Sequence, residues 1–227
     1  LRGVRESGKA FAIPTYVFVG SLGVMVLVGL GRWLLGDLPL ADSAQYGVQA
    51  HDLTQAGLIL LLLRAFASGC SALTGVEAVS NGVPAFRVPK IRNAQATLVI
   101  MGGIAIALFA GVTAIALLTQ VHYVENPCDL IGWAACVDQP QASVIAQLAT
   151  SVFGAGSAPF FLIQAATAAV LLLAANTAFN GFPLLGSVLA ADGYAPKSLS
   201  TRGDRLVYSN GVIALAAMAG VLIVVFQ

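Results

Sequence analysis

The stretch FASGCSALTGVEAVSNGVPAFRVPKIRN, Phe66–Asn93, begins as a membrane span and ends as a basic loop. Between the two stands a carboxylate, Glu77, among glycines and small polar residues. Ser71, Thr74, Glu77 and Asn81 are spaced by three, three and four, which puts them on one helix face. Ala72, Val76, Val79 and Val83 form an apolar stripe opposite. Glycines at 69, 75 and 82 lower helix propensity and permit a local break. At a break, carbonyls and amides lose their intrahelical partners. In lipid this is tolerated only where the backbone is buried in protein or lines a cavity.

An ionisable side chain at membrane depth costs about 2.5–3.5 kcal/mol on insertion scales, so Glu77 reads first as functional. The bland alternative is a neutral or paired acid kept for packing. The carbonyl of Leu73, the hydroxyls of Ser71 and Thr74, the backbone at Gly75 and the Glu77 carboxylate are hard oxygen ligands. They suit a small cation or a proton-coupled site. Arg64, earlier on the same segment, is about 20 Å away along a straight helix and is placed outside that site.

Working outward, the chain has 227 residues, 58% hydrophobic and 9% charged, with mean hydropathy +0.88. A soluble domain of this size cannot hide that much apolar side chain, so the solvent is lipid. A bilayer core needs about 20 apolar helical residues. Five segments of one membrane domain, 1–227, qualify: 11–35, 53–85, 94–118, 159–185 and 207–226. The second is too long for one simple span and contains the glycine cluster, which predicts a helix that breaks and resumes. Pro14 and Pro183 are expected to mark helix ends or kinks. The chain opens on Leu1, and its last apolar run stops at Gln227. The expectation is an internal fragment of a longer membrane protein, inactive in transport by itself.

Lysine and arginine set orientation, because cytoplasmic loops retain them. Arg2, Arg5 and Lys9 precede the first span. Arg87, Lys90 and Arg92 follow the second, and Lys197, Arg202 and Arg205 follow the fourth. The intervening loops are acidic, with Asp37, Asp42 and Asp52 in one and Glu125, Asp129 and Asp138 in the other. This predicts a multi-pass cell-membrane protein with the residue 1 end cytoplasmic and the residue 227 end facing outside. In the outer loop 121–157, QASVIAQLATSVFG places Val144, Ile145, Leu148 and Val152 on one face of a short amphipathic helix. That helix reads either as a plain interfacial helix or as a lid. Cys128 and Cys136 share the same loop; pairing in an oxidising space and two free thiols are both open.

A second polar group, Asn176, Thr177 and Asn180, lies in the fourth span, with the two asparagines on one face. It reads either as interhelical hydrogen bonding or as a second wall of an ion pathway. Enzyme classes fare poorly. His51 and His122 fall in outer loops, HExxH and GxSxG are missing, and no pair of intramembrane aspartates exists. No cofactor is expected. The expected partners are the lipid bilayer, a small ion or amino acid substrate, the remaining spans of the parent protein and a second copy in a homodimer. A basic patch with interleaved aromatics is missing, so nucleic acid is not expected.

A broken helix followed by an inner basic loop is secondary-transporter architecture. GVEAVSNGVPAFRVPKIRNAQATL, Gly75–Leu98, resembles the sixth span and following loop of the amino acid–polyamine–organocation (APC) superfamily. The segment 174–213, which contains LAADGYAPKSL, resembles its eighth span and the loop into the ninth. The match runs over nearly the whole chain, as spans five to nine of twelve. It implies an all-α integral membrane fold, part of a LeuT-like inverted-repeat bundle with five transmembrane helices, one of them broken. GCSALTGVEAVSNGVPAF is most similar to the KUP-like, KimA-type branch of proton-coupled potassium importers. That resemblance implies potassium and a proton as the transported species, with Thr74 and Glu77 as potassium-site residues. The alternative it leaves open is an amino acid permease of the same fold, with freed amides binding a carboxylate. In this fold the site lies between the first, third, sixth and eighth helices, so this chain would supply one wall.

Overall fold

The computed structural model describes residues 4–48, 55–71, 79, 83, 86–124, 126–133, 140–200 and 209–225. For residues 4–11, 56, 70, 71, 180, 184 and 209 it describes the backbone only. The described chain is all-α apart from one short ribbon. Its helices are α1 (Val4–Leu34), α2 (Gln55–Ser71), α3 (Lys90–Leu118), α4 (Val144–Phe153), α5 (Ala158–Ala191) and α6 (Ser209–Val225).

Among the described residues, three segments are long and apolar enough to cross a membrane: Ala12–Leu34, Lys90–Leu118 and Ala158–Ala191. Shorter apolar helices are Gly57–Gly69 and Asn210–Val225. Large apolar side chains stand exposed along these helices, among them Leu60, Phe66, Val99, Phe109, Leu172 and Val224. Such surfaces are stable only against lipid or further protein. Neither proline ends its helix: Pro14 lies inside α1 and Pro183 inside α5. Each removes one backbone donor, but its helix resumes at once because in an apolar medium the neighbouring carbonyls have no water to turn to. At α3 the helix starts inside the basic loop. Pro89 is its N-cap residue, and Asn93 Nδ2 donates to the Arg87 carbonyl at 2.9 Å.

The chain divides into two compact units. One comprises Val19–Ile163, and the other Leu1–Phe18 with Gln164–Gln227. In the first, α1 and α3 meet glycine to side chain in both directions. Gly29 of α1 faces Ile115 of α3, and Gly111 of α3 faces Val26 of α1. Small residues let helix backbones approach closely enough for dispersion contacts to hold them without a hydrophobic driving force. Met25, Ile115, Leu148 and Val152 are buried at this junction of α1, α3 and α4.

The segments that follow α1 and α3 are knitted together. β1 (Gly47–Val48) pairs antiparallel with β2 (Leu130–Ile131), with Gly47 opposite Ile131 and Val48 opposite Leu130. Ala41 N–H donates to the Thr119 carbonyl at 2.9 Å. α4 starts at Ser143, whose hydroxyl accepts from Ala146 N–H at 3.3 Å. It ends at Gly154, whose φ of 87° lies in the left-handed region that glycine adopts without strain. Of the periodic residues on α4, Leu148 and Val152 are fully buried, while Val144 and Ile145 are half-buried. The helix is therefore docked on the α1–α3 junction.

In the second unit, α6 approaches α5 where Gly211 meets the backbone and ring of Pro183. Asn210 Nδ2 donates to the Ser198 carbonyl at 2.8 Å, tying the start of α6 to the turn over Lys197–Leu199.

Candidate functional site

Ser71 is the last residue of α2. Leu73, Thr74, Gly75, Glu77 and Asn81 lie outside the described residues, as does the expected helix break. The approach to them is described. α2 carries Leu58 to Leu63 and Phe66 exposed. Beyond the stretch, Phe86 N–H donates to the Val83 carbonyl at 3.2 Å, and α3 starts four residues on.

The second polar group is placed within α5. Asn176, Thr177 and Asn180 occupy little more than one turn of a 34-residue apolar helix. The Thr177 hydroxyl donates to the Leu173 carbonyl at 3.0 Å, four residues back. That bond satisfies the donor inside the helix and leaves oxygen lone pairs free to face outward. Asn176 and Thr177 are exposed on this chain, and Asn180 is described by its backbone only. Exposed amide and hydroxyl groups in an apolar helix belong against protein or a water-filled cavity rather than lipid. They can offer neutral oxygen acceptors and amide donors; a charge has to come from elsewhere.

Sequence reasoning missed a third polar region, in the segments after α1 and α3. Ser43 is buried. Its hydroxyl donates to Gln147 Oε1 and accepts from His122 N–H at 2.9 Å. The Gln147 amide nitrogen donates to the Ala142 carbonyl at 2.8 Å. Gln141 donates to the His122 carbonyl at 2.8 Å and accepts from Val124 N–H at 3.2 Å. His122 Nδ1 lies 2.7 Å from the Tyr46 carbonyl. Because a carbonyl only accepts, that nitrogen carries the hydrogen. Tyr46 stacks on Trp133 with ring centres 5.6 Å apart and planes 20° from parallel. Uncharged Ser and Gln in a polar loop give no periodic signal, so nothing in the sequence pairs Ser43 with Gln147. Cys128, in the same region, is disulfide-bonded.

Arg32 is a further residue whose role the sequence conceals. Its guanidinium donates to the Val152 carbonyl at 2.7 Å and more weakly to the Ser151 carbonyl at 3.4 Å. It also pairs with Asp37 at 3.1 Å. A cation thus sits on the last carbonyls of α4, where the helix dipole favours positive charge.

Comparison with known proteins gives the family. A family model described as "Amino acid permease" matches residues 1–227. The chain is also similar to "Potassium transporter KimA" of Bacillus subtilis (strain 168), with 41% identity over 227 residues. That alignment covers all of this chain and 34% of the relative, so the chain spans about a third of that protein's length. The apolar helices, the polar groups set within them and the match over its full length together make this a multi-pass membrane chain of the amino acid permease family, within the APC superfamily.

Proposed function

We propose that this chain is part of a secondary active transporter that takes up potassium together with protons across the cytoplasmic membrane, and that it performs no enzymatic step. The observation that carries this reading is the 41% identity over the whole of this chain to a protein named as a potassium transporter. The chemistry of the stretch Ser71–Glu77 agrees with it. Potassium is a hard cation that replaces its hydration shell with oxygen ligands. The Leu73 carbonyl, the Thr74 hydroxyl and the Glu77 carboxylate would supply such oxygens, with Ser71 and Gly75 shaping the break. Glu77 would balance the cation's charge or carry the coupled proton. Asn176, Thr177 and Asn180 would form a neutral second wall.

In this reading Arg87, Lys90 and Arg92 face the cytoplasm and the Ser43–Gln147 region faces outside. The residue 1 end is cytoplasmic and the residue 227 end faces outward. The disulfide at Cys128 supports the outward placement of its loop, since disulfides persist in oxidising spaces. The remaining spans of the parent protein supply the other walls of the site.

The matching family description favours a second reading, amino acid transport, in which Glu77 meets the substrate ammonium. One experiment separates the two. The full-length protein is expressed in cells lacking their own potassium uptake, and growth is followed at limiting potassium. Rescue by the wild type that Glu77→Gln abolishes at equal expression is expected. A well-expressed wild type that gives no rescue overturns the potassium reading, and uptake of labelled amino acids then tests the second.

A further inference from the structure

The segments following α1 and α3, with α4, border a half-open cavity of about 280 Å³ that the transport reading does not use. Asp42, Ser43, Tyr46, Trp133, Gln141, Gln147 and Thr150 form its polar and aromatic lining. Most of its polar valences are already spent. The Ser43 hydroxyl, both amide atoms of Gln147 and both amide atoms of Gln141 bond to protein partners. These bonds fix the walls before any ligand arrives.

What remains unspent is specific. Among the described residues, the Asp42 carboxylate makes no hydrogen bond or ion pair. Tyr46 and Trp133 present a stacked aromatic wall, brought together from different segments by the Gly47–Ile131 pairing. The Tyr46 carbonyl, bonded to His122 Nδ1, locks the backbone that carries one ring. Among the described residues, no lysine or arginine lines the cavity. An acid that shares a cavity with two aromatic rings, with no opposing cation among the described lining residues, attracts positive charge by Coulomb and quadrupole terms together. The volume is at the lower limit of small-molecule pockets and far exceeds a bare metal ion, which selects an organic cation.

We propose that this cavity binds a small organic ammonium ion, with Tyr46 and Trp133 against its alkyl groups and Asp42 balancing its charge. The proposal uses neither Thr74 nor Glu77 and does not depend on which substrate the protein transports.

Calorimetry on the detergent-solubilised full-length protein tests it, with choline as the probe and 3,3-dimethylbutanol as its uncharged isostere. Saturable choline binding is expected, with the isostere weaker by about tenfold or more. Asp42→Asn, on an exposed turn, should weaken choline by a similar factor. Trp133→Phe keeps the stack but offers a poorer π face, and should weaken it severalfold. Absence of saturable choline binding overturns the proposal, as does equal binding of the isostere. Affinity unchanged in both variants overturns it too. Binding lost in Glu77→Gln but kept in Asp42→Asn would move the ion to the transport site, and equally overturn it.

Discussion

Arg32 and Val152 are 120 residues apart in sequence, yet the guanidinium of one donates to the carbonyl of the other at 2.7 Å. This contact fastens the C-terminal end of α4 to the end of α1. Arg32 is 28% exposed, whereas its other partner, Asp37, is 78% exposed. The two contacts should therefore differ in weight. A charge-assisted bond to a part-buried carbonyl contributes about 1–2 kcal/mol. A surface ion pair to a largely solvated carboxylate contributes under about 0.5 kcal/mol. Arg32→Ala is expected to lower the thermal stability of the full-length protein and speed hydrogen exchange in α4. Asp37→Ala should leave both nearly unchanged. Equal effects from the two substitutions would show that the ion pair, and not the carbonyl bond, holds the helix.

The glycines at the α1–α3 crossing should behave differently from those in open positions. A Cβ at Gly29 would lie 2.7 Å from Ile115 Cδ1, and one at Gly111 would collide with the stiff side chain of Val26. Overpacking of this kind costs about 1–3 kcal/mol. A Cβ at Gly102 or Gly103 meets nothing within 4 Å. Alanine there should stabilise slightly, by up to about 1 kcal/mol of helix propensity. Gly211→Ala should be the least tolerated, because the atoms it meets include the Pro183 Cα at 2.9 Å, which is backbone and cannot rotate away. Thermal unfolding in one detergent, compared across the five alanine variants, checks the ranking.

Ser43→Ala removes a buried hydroxyl that serves His122 N–H and Gln147 Oε1 together. Both partners lose a bond where water enters poorly, so a loss of about 2–3 kcal/mol is expected. Ser43→Thr keeps the hydroxyl and should recover part of it. A thermal-shift comparison of the two variants would refute the bonded role if alanine were as stable as wild type.

The proposed orientation places Cys128 outside and Arg87 inside. With Cys70 replaced by alanine, a membrane-impermeant maleimide should label Cys128 in intact cells only after reduction of its disulfide. A cysteine introduced at Arg87 should be labelled only after the cells are opened. The reverse pattern would invert the topology.

The sequence was informative where physics acts locally. Long apolar runs declare lipid as the solvent and announce all-α membrane architecture, and α1, α3 and α5 read directly from them. The period of Val144, Ile145, Leu148 and Val152 marks the face of α4, but not what that face covers. Its seat on Gly29 and its Arg32 clamp depend on contacts across more than 100 residues, which no periodicity carries. Arg32 reads in sequence as a basic residue at a span's end. The Ser43–Gln147–His122 network is likewise silent, because uncharged polar residues in loops look alike whether buried or solvated. Pro14 and Pro183 are expected from sequence to mark helix ends or kinks, and neither ends its helix, because a helix in lipid has no better place for its backbone than the helix itself. Glu77 stood out on the energetic cost of a carboxylate at membrane depth, an argument about one residue that needs no long-range geometry, and Thr74 followed from its spacing on the same helix face.

The central claim is tested most directly with the full-length protein in proteoliposomes, by following potassium uptake with and without an inward proton gradient. The account predicts gradient-stimulated uptake by the wild type, and loss of it in Glu77→Gln and Thr74→Ala at equal reconstitution. Wild-type uptake that both substitutions leave intact would contradict the assignment of the site. A correctly reconstituted wild type that moves no potassium would contradict the transport reading itself.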